Sequence, residues 1–247
     1  MKIAIIGCSY SAYQQKDVYE NHWSFQMSQR FPQHEYFSYA LGGRGIEFFQ
    51  WCLLDAAARD IDAVFLSSTY FHRTQFLVDF DDYNNNEFVS EPITENFNLM
   101  EFHGAHLWSS SDGPNSLKPT PPILNKQAYW PQLKKDFTPA AEYQMVSEHR
   151  ANYMAKWYKN AHKLYNFKHF VLLKFHKEGE DKYLGTNSVW HAMKEYFGIR
   201  SAGNDQLYPL GIVLGEWDDH WSKKGNTWVL DNFILKKPET KFLNSLD

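Results

Sequence analysis

A serine hydroxyl acts as a nucleophile only when a base stands within hydrogen-bond reach, and the base needs a third group to hold its tautomer. Three short stretches of this chain carry the residue types for that arrangement. Gly7-Cys8-Ser9 follows the apolar run Ile3-Ala4-Ile5-Ile6. Gly42-Gly43-Arg44-Gly45 follows a second run rich in aromatics, and Asp218-Asp219-His220 lies near the C-terminus. In an extended segment residues two apart point the same way, so one loop can supply both the Asp218 carboxylate and the His220 imidazole. Glycine lets the backbone approach closely, so the 42–45 turn can offer an N–H to a developing oxyanion. Taken singly, each stretch has a plainer reading. Ser9 is also a helix N-cap or turn residue, His220 a surface or cap residue, and 42–45 a strand–helix turn.

The elements that must position these residues follow from the apolar pattern. Residues 3–6 read as a strand buried on both faces of a parallel sheet. Within 18–31, Val18, Trp23, Met27 and Phe31 recur at near-helical spacing, and Pro32 stops the helix. Residues 34–41 form a second strand, 46–59 a helix and 63–68 a third strand. This β-α-β-α-β run with short connections is the signature of a doubly wound parallel sheet. From 77 to 141 the pattern dissolves into an acidic, amide-rich and proline-rich stretch. A structureless loop of that length does not suit a compact domain, so it reads as an irregular, aromatic-rich lid inserted into one domain spanning 1–247. Its Phe97, Phe102, Trp108, Tyr129 and Trp130 either stack on sugar rings or form the lid's own small core. Helical periodicity resumes at 142–165. A fourth strand at 170–175, a helix at 188–197 capped by Gly198, a short fifth strand at 212–214 and a last helix at 224–235 complete the chain.

Composition narrows the function classes. Of 247 residues, 43% are apolar and 22% charged, as in ordinary globular proteins. Aromatics at 17% exceed what a core alone needs, which points to a binding surface. A net charge of −4 gives no electrostatic case for nucleic acid. No apolar run approaches the roughly 20 residues of a membrane span, and the four apolar residues before Gly7 are too few for a secretory signal. Cys8 and Cys52 make no disulfide framework and no CxxC pattern exists. The histidines, His103 and His106 included, find no carboxylate or cysteine set to complete a zinc site. The expectation is a cytoplasmic protein with no metal and no cofactor.

The blocks together resemble those of SGNH (GDSL-type) hydrolases. Ile6-Gly7-Cys8-Ser9-Tyr10-Ser11 is similar to the family's first block. Ala40-Leu41-Gly42-Gly43-Arg44-Gly45 is similar to its second, and Leu66-Ser67-Ser68-Thr69-Tyr70-Phe71-His72-Arg73 falls at its third. Asp218-Asp219-His220-Trp221-Ser222-Lys223-Lys224-Gly225-Asn226 resembles its last. The Gly-Cys-Ser-Tyr and Asp-x-His variants are similar to a phage-encoded and bacterial branch, which would place the protein in the host cytoplasm. The resemblance covers about residues 1–75 and 150–235. It implies a flavodoxin-like, doubly wound parallel sheet of about five strands. It implies Ser9 as nucleophile, His220 as base and Asp218 as its orienting carboxylate, with Asp219 as the spare. The N–H groups of Ser9 and of Gly45 or Gly43 would form the oxyanion hole. The family's third-block asparagine is replaced here by Ser68-Thr69-Tyr70, so Thr69 is the candidate for that donor. Tyr10, Arg44, Tyr70, His72 and Arg73 are the candidate substrate-binding residues. Arg44 could clamp an acidic substrate. His72 and Arg73 either bind a carboxylate or phosphate or belong to a solvated loop or a structural ion pair.

Two functions follow as expectations. One is a serine esterase acting on a small acyl ester, best an acetyl group on a carbohydrate or other polar alcohol. The other is a catalytically degenerate SGNH-fold binding module, recognising a glycan or protein partner through the 77–141 insertion. A nucleotide site at Gly7 has neither the Gly-Lys-Ser/Thr of a P-loop nor a GxGxxG.

Overall fold

The computed structural model describes residues 1–11, 20–69, 73–77, 87–103, 106–109, 118–119, 130–146, 148–175, 180–201, 203–216, 218 and 220–245. Strand β1, Lys2–Ile6, is buried from Ile3 onward. It sits at the centre of the sheet because it pairs in parallel on both sides. Ile3 lies opposite Tyr36 of β2, Glu35–Ser38, and opposite Ala63 of β3, Ala63–Ser67. Such two-sided burial is why the strand reads as a continuous apolar run rather than an alternating one. The crossover helices are α1, Trp23–Arg30, and α2, Ile46–Ala58. Helix α1 buries Trp23 and Met27, one turn apart, and stops where the Phe31 N–H closes onto the Met27 carbonyl.

Two expectations about the sheet are corrected. Among the described residues it has six strands rather than about five, and it is mixed rather than all parallel. Strand β4, Thr74–Leu77, lies outside it. The other two strands come from the segment expected to be irregular. Strands β5, Glu87–Thr94, and β6, Phe97–His103, form a hairpin. Strand β6 lies parallel to β2, and β5 closes that edge antiparallel. The hairpin docks through its turn: Asn96 Nδ2 donates to the Ser28 carbonyl at 3.0 Å, and the Tyr36 N–H donates to the Asn96 carbonyl at 2.8 Å. Its aromatics belong to the main core. Phe102 stacks on Trp51 of α2 with ring centroids 5.5 Å apart, and Phe88 meets both Phe102 and Tyr39.

The rest of the insertion also carries regular structure. Strand β4 pairs antiparallel with β7, His106–Ser109, which pairs with the short β8, Lys118–Pro119. Helix α3, Trp130–Val146, precedes α4, Glu148–Leu164, so helix begins well before the expected 142. The remaining lid positions, Tyr129 among them, fall outside the described residues. The last sheet strand is β9, His169–Leu173, parallel to β3. Helix α5, Val189–Phe197, ends as expected at Gly198, whose φ of +63° suits glycine. The expected fifth strand at 212–214 is absent as a sheet strand. Among the described residues it makes a single antiparallel bridge, Val213 with Trp221. Helix α6, Lys223–Trp228, runs straight into a π-helical turn, Val229–Ile234. Among the described residues no helix is long and apolar enough to cross a membrane.

Candidate active site

The chain steps from β1 to β2 on one side and crosses back to β3 on the other. Loops leaving β1 and β3 therefore part at the carboxyl edge, where open α/β sheets bind ligands. The turn after β1 is tied down at several points. The Ser11 N–H returns to the Cys8 carbonyl at 2.8 Å, the Leu41 N–H reaches the Gly7 carbonyl at 3.1 Å, and Ser11 Oγ lies 2.6 Å from Ser67 Oγ at the end of β3. A side chain at Gly7 would run into the Ser11 hydroxyl, so the turn requires glycine there. Ser9, at its apex, is half-buried.

Asp218 and His220 stand on the loop of a narrow hairpin. The Leu214 N–H donates to the His220 carbonyl at 2.9 Å and the Ser222 N–H to the Ile212 carbonyl at 2.9 Å. Within that loop His220 Nδ1 lies 2.6 Å from Asp218 Oδ1, with side-chain exposures of 34% and 47%. The hairpin is bolted to α1 by Asn226. Its Nδ2 donates to the Trp221 carbonyl at 3.0 Å, and its Oδ1 accepts the Trp23 N–H at 3.2 Å. Ser222 caps α6 by accepting the Gly225 N–H at 3.1 Å.

Tyr10 brings the serine turn and the histidine loop together. Tyr10 stacks on His220 with ring centroids 5.5 Å apart and planes at 30°, and it also packs on Trp190 and Trp221. Its carbonyl accepts the Trp23 indole N–H at 3.0 Å. Tyr10, expected as a substrate contact, is buried and serves as the wall between turn and loop. Beneath lies His22, a residue the sequence reading did not single out. It is buried, its pKa is pushed down to about 3 by burial and then by the nearby charge of His220, and the Ser9 and Ser11 backbones hydrogen-bond it and act in the opposite direction. His22 is therefore neutral at pH 7.

The glycine turn and the third block are knit into a buried network. Gly43 takes φ of +74°, a left-handed conformation that favours glycine. The Gly45 N–H donates to Gln75 Oε1 at 3.2 Å, and Gln75 Oε1 also takes the Phe48 N–H at 3.1 Å. A side chain at Gly45 would stand 2.7 Å from the Arg73 carbonyl oxygen. Thr69 donates its hydroxyl to the Arg44 carbonyl at 2.9 Å and its N–H to Tyr158 Oη at 3.1 Å, and it accepts from Arg73 Nη1 at 3.0 Å. Both donors of Thr69 and the N–H of Gly45, the groups expected to donate to an oxyanion, are engaged in these bonds. Ser68 Oγ likewise accepts the Phe175 N–H at 2.8 Å.

Arg44 and Arg73 are buried instead of reaching outward. Arg44 sits with its guanidinium carbon 5.5 Å from the Phe48 ring centre, its pKa pushed down to about 10 by burial. The Arg73 carbonyl accepts from Arg150, which also pairs with Glu47 at 2.6 Å. Tyr70, His72 and Asp219 lie outside the described residues. Gln75, Tyr158 and Arg150 could not be found from motifs, since each acts from an element distant in sequence. Among the described residues no group of three or more His, Cys, Asp or Glu side chains is placed to hold a metal ion. No protein-family model, curated protein or solved structure matches the chain.

Proposed function

We propose that this chain is a serine esterase of SGNH type that hydrolyses a small acyl ester, best an acetyl group, on a carbohydrate or other polar alcohol. The observation that carries the reading is the 2.6 Å Asp218–His220 pair, stacked on the residue that follows Ser9. Asp218 on Nδ1 fixes the imidazole tautomer and leaves Nε2 to take the Ser9 proton. As Oγ bonds to the acyl carbon, the carbonyl π pair moves to oxygen. Collapse then breaks the ester C–O bond, and Nε2 returns the proton to the leaving alcohol. Water repeats the sequence and frees the acid and Ser9. With Gly45 and Thr69 engaged, the reading assigns the oxyanion to the N–H groups of Ser9 and Gly43.

The parallel order β2-β1-β3-β9 matches the 2-1-3-4 portion of a flavodoxin-like sheet. That supports the SGNH reading, with the β5–β6 hairpin as an addition beyond β2. A second reading draws on the spent donors of Thr69 and Gly45: a degenerate module that binds a glycan or protein through the insertion. Turnover of p-nitrophenyl acetate by the wild-type chain, Ser9→Ala and His220→Ala decides between them. Loss of turnover in both variants, with fluorophosphonate labelling mapped to Ser9, supports the esterase. Equal rates in all three, or no labelling, would sink it.

A further inference from the structure

Among the described residues strand β9 is the end of the sheet, and β3 is its partner there. The His169 N–H donates to the Asp62 carbonyl, and the Leu173 carbonyl accepts the Ser68 N–H. Residues 169, 171 and 173 thus address β3. In a parallel ladder the intervening residues point their main-chain groups the other way, so Phe170 and Leu172 turn theirs outward. Phe170 and Leu172 line a cavity of about 540 Å³ that Tyr158 and Lys159 of α4 and Lys237 also border. That is the size range of small-molecule sites.

The charge lining this cavity is one-sided. Among the described residues Lys159, Lys168, Lys174 and Lys237 face it with a single carboxylate, Glu239, whose charge acts on Lys237, on a chain whose net charge is −4. Lys168 is matched by Asp62 at 2.6 Å. Lys174 is anchored to the neutral Asn187 Oδ1, while Lys237 lies 4.7 Å from the Phe233 ring centre. Burial lowers the Lys174 ammonium's pKa, and the neighbouring charges of Lys237 and Lys159 lower it further. Three cations against one carboxylate leave the concavity with an excess of positive charge, and a bound anion would relieve that cost. None of these residues belongs to the Ser9–His220 site.

We propose that this cleft is a binding site for a small multivalent phosphoryl anion, held by Lys159, Lys174 and Lys237 with the outward main-chain N–H groups of β9 as further donors. Charge-assisted bonds to phosphate oxygens are the strong class of hydrogen bond, and lysine serves as a point charge for them. The ring of Phe170 on the same wall would favour a phosphate that carries a flat organic group.

The test is calorimetric titration of the full chain with inorganic pyrophosphate, and separately with ADP. The expected result is saturable binding of pyrophosphate that weakens as sodium chloride rises. It should weaken on the order of tenfold or more in the Lys174→Gln/Lys237→Gln double variant, each tenfold being about 1.4 kcal/mol. A Lys174→Arg/Lys237→Arg chain checks that the loss follows charge and not folding, and should keep most of the affinity. Tighter ADP binding identifies an organic phosphate as the source, and weaker ADP binding a free one. The Ser9→Ala chain should bind as the wild type does, so the outcome is independent of the esterase reading. No saturation up to about 10 mM (a Kd at which binding is under 3 kcal/mol), or unchanged affinity in the glutamine variant, would overturn the site. So would binding of an acidic peptide in the absence of pyrophosphate binding.

Discussion

The Asp218 carboxylate holds His220 twice: Oδ1 lies 2.6 Å from Nδ1 and accepts the His220 backbone N–H at 3.0 Å. One oxygen therefore sets both the loop's turn and the ring's orientation. In Asp218→Asn the amide oxygen can still accept the backbone N–H, so the loop should keep its shape. The neutral amide cannot stabilise an imidazolium. Turnover of p-nitrophenyl acetate should fall by about 10²–10⁴-fold, with the thermal midpoint unchanged. Steady-state kinetics beside a thermal melt separates the two effects, and full activity in the variant would remove Asp218 from the proposed triad.

Gly225 is where the histidine hairpin meets α6. A Cβ there would run into the Ile212 carbonyl oxygen, a backbone atom that also accepts the Ser222 N–H. The clash cannot be relieved by a side-chain rotation. Gly225→Ala should destabilise the chain by about 1–3 kcal/mol, read from urea unfolding, and should displace the Asp218–His220 loop at the same time. A variant as stable as the wild type would mean that the hairpin can shift freely.

Local signals foretold part of this architecture. Strand β1 was legible because burial on both faces leaves an uninterrupted apolar run. Helix α5 was legible because Gly198 marks its end with a positive φ. The i, i+2 spacing of Asp218 and His220 pointed to their pairing, although the structure makes it through a turn, with Asp218 Oδ1 also accepting the His220 N–H, and not along an extended segment. The β5–β6 hairpin was not legible. The burial of β5 does not alternate cleanly, and β6 finds its place only through β2, some sixty residues upstream. The spending of Thr69 and Gly45 was hidden for the same reason: Tyr158 and Gln75 come to them from elsewhere in the fold. His22 carries no motif, and its importance lies in the depth at which it is buried.

Gln75 replaces a missing helix cap. Helix α2 begins after Gly45, whose residue type offers no side-chain acceptor, and Gln75 Oε1 from β4 accepts the N–H groups of both Gly45 and Phe48. In Gln75→Leu the volume is nearly kept while two buried donors lose their acceptor. A loss of about 1–3 kcal/mol is expected from equilibrium denaturation. Since the Gly45 N–H is then released at the site, the same variant also tests that donor. Turnover raised per folded molecule would show that Gly45 is able to serve an oxyanion, turnover unchanged would leave the oxyanion to Ser9 and Gly43, and turnover lost would tie the turn's geometry to Gln75.

His22 makes stability depend on pH in a defined window. Its pKa falls from 6.5 to about 3 on folding, chiefly through burial and secondarily through His220, against the Ser9 and Ser11 backbones. The unfolded chain therefore binds a proton at His22 that the folded chain refuses. Its contribution to stability is fully present above pH 6.5 and drains away as pH falls toward 3. The slope approaches about 1.4 kcal/mol per pH unit inside the window. His34, also lowered mainly by burial, adds in the same direction, so the wild-type curve alone does not isolate His22. The difference between wild type and His22→Gln does. Urea unfolding at intervals from pH 7.5 to pH 4.5 should show the variant losing less stability than the wild type as pH drops. Parallel curves would mean that His22 takes up its proton in the folded chain.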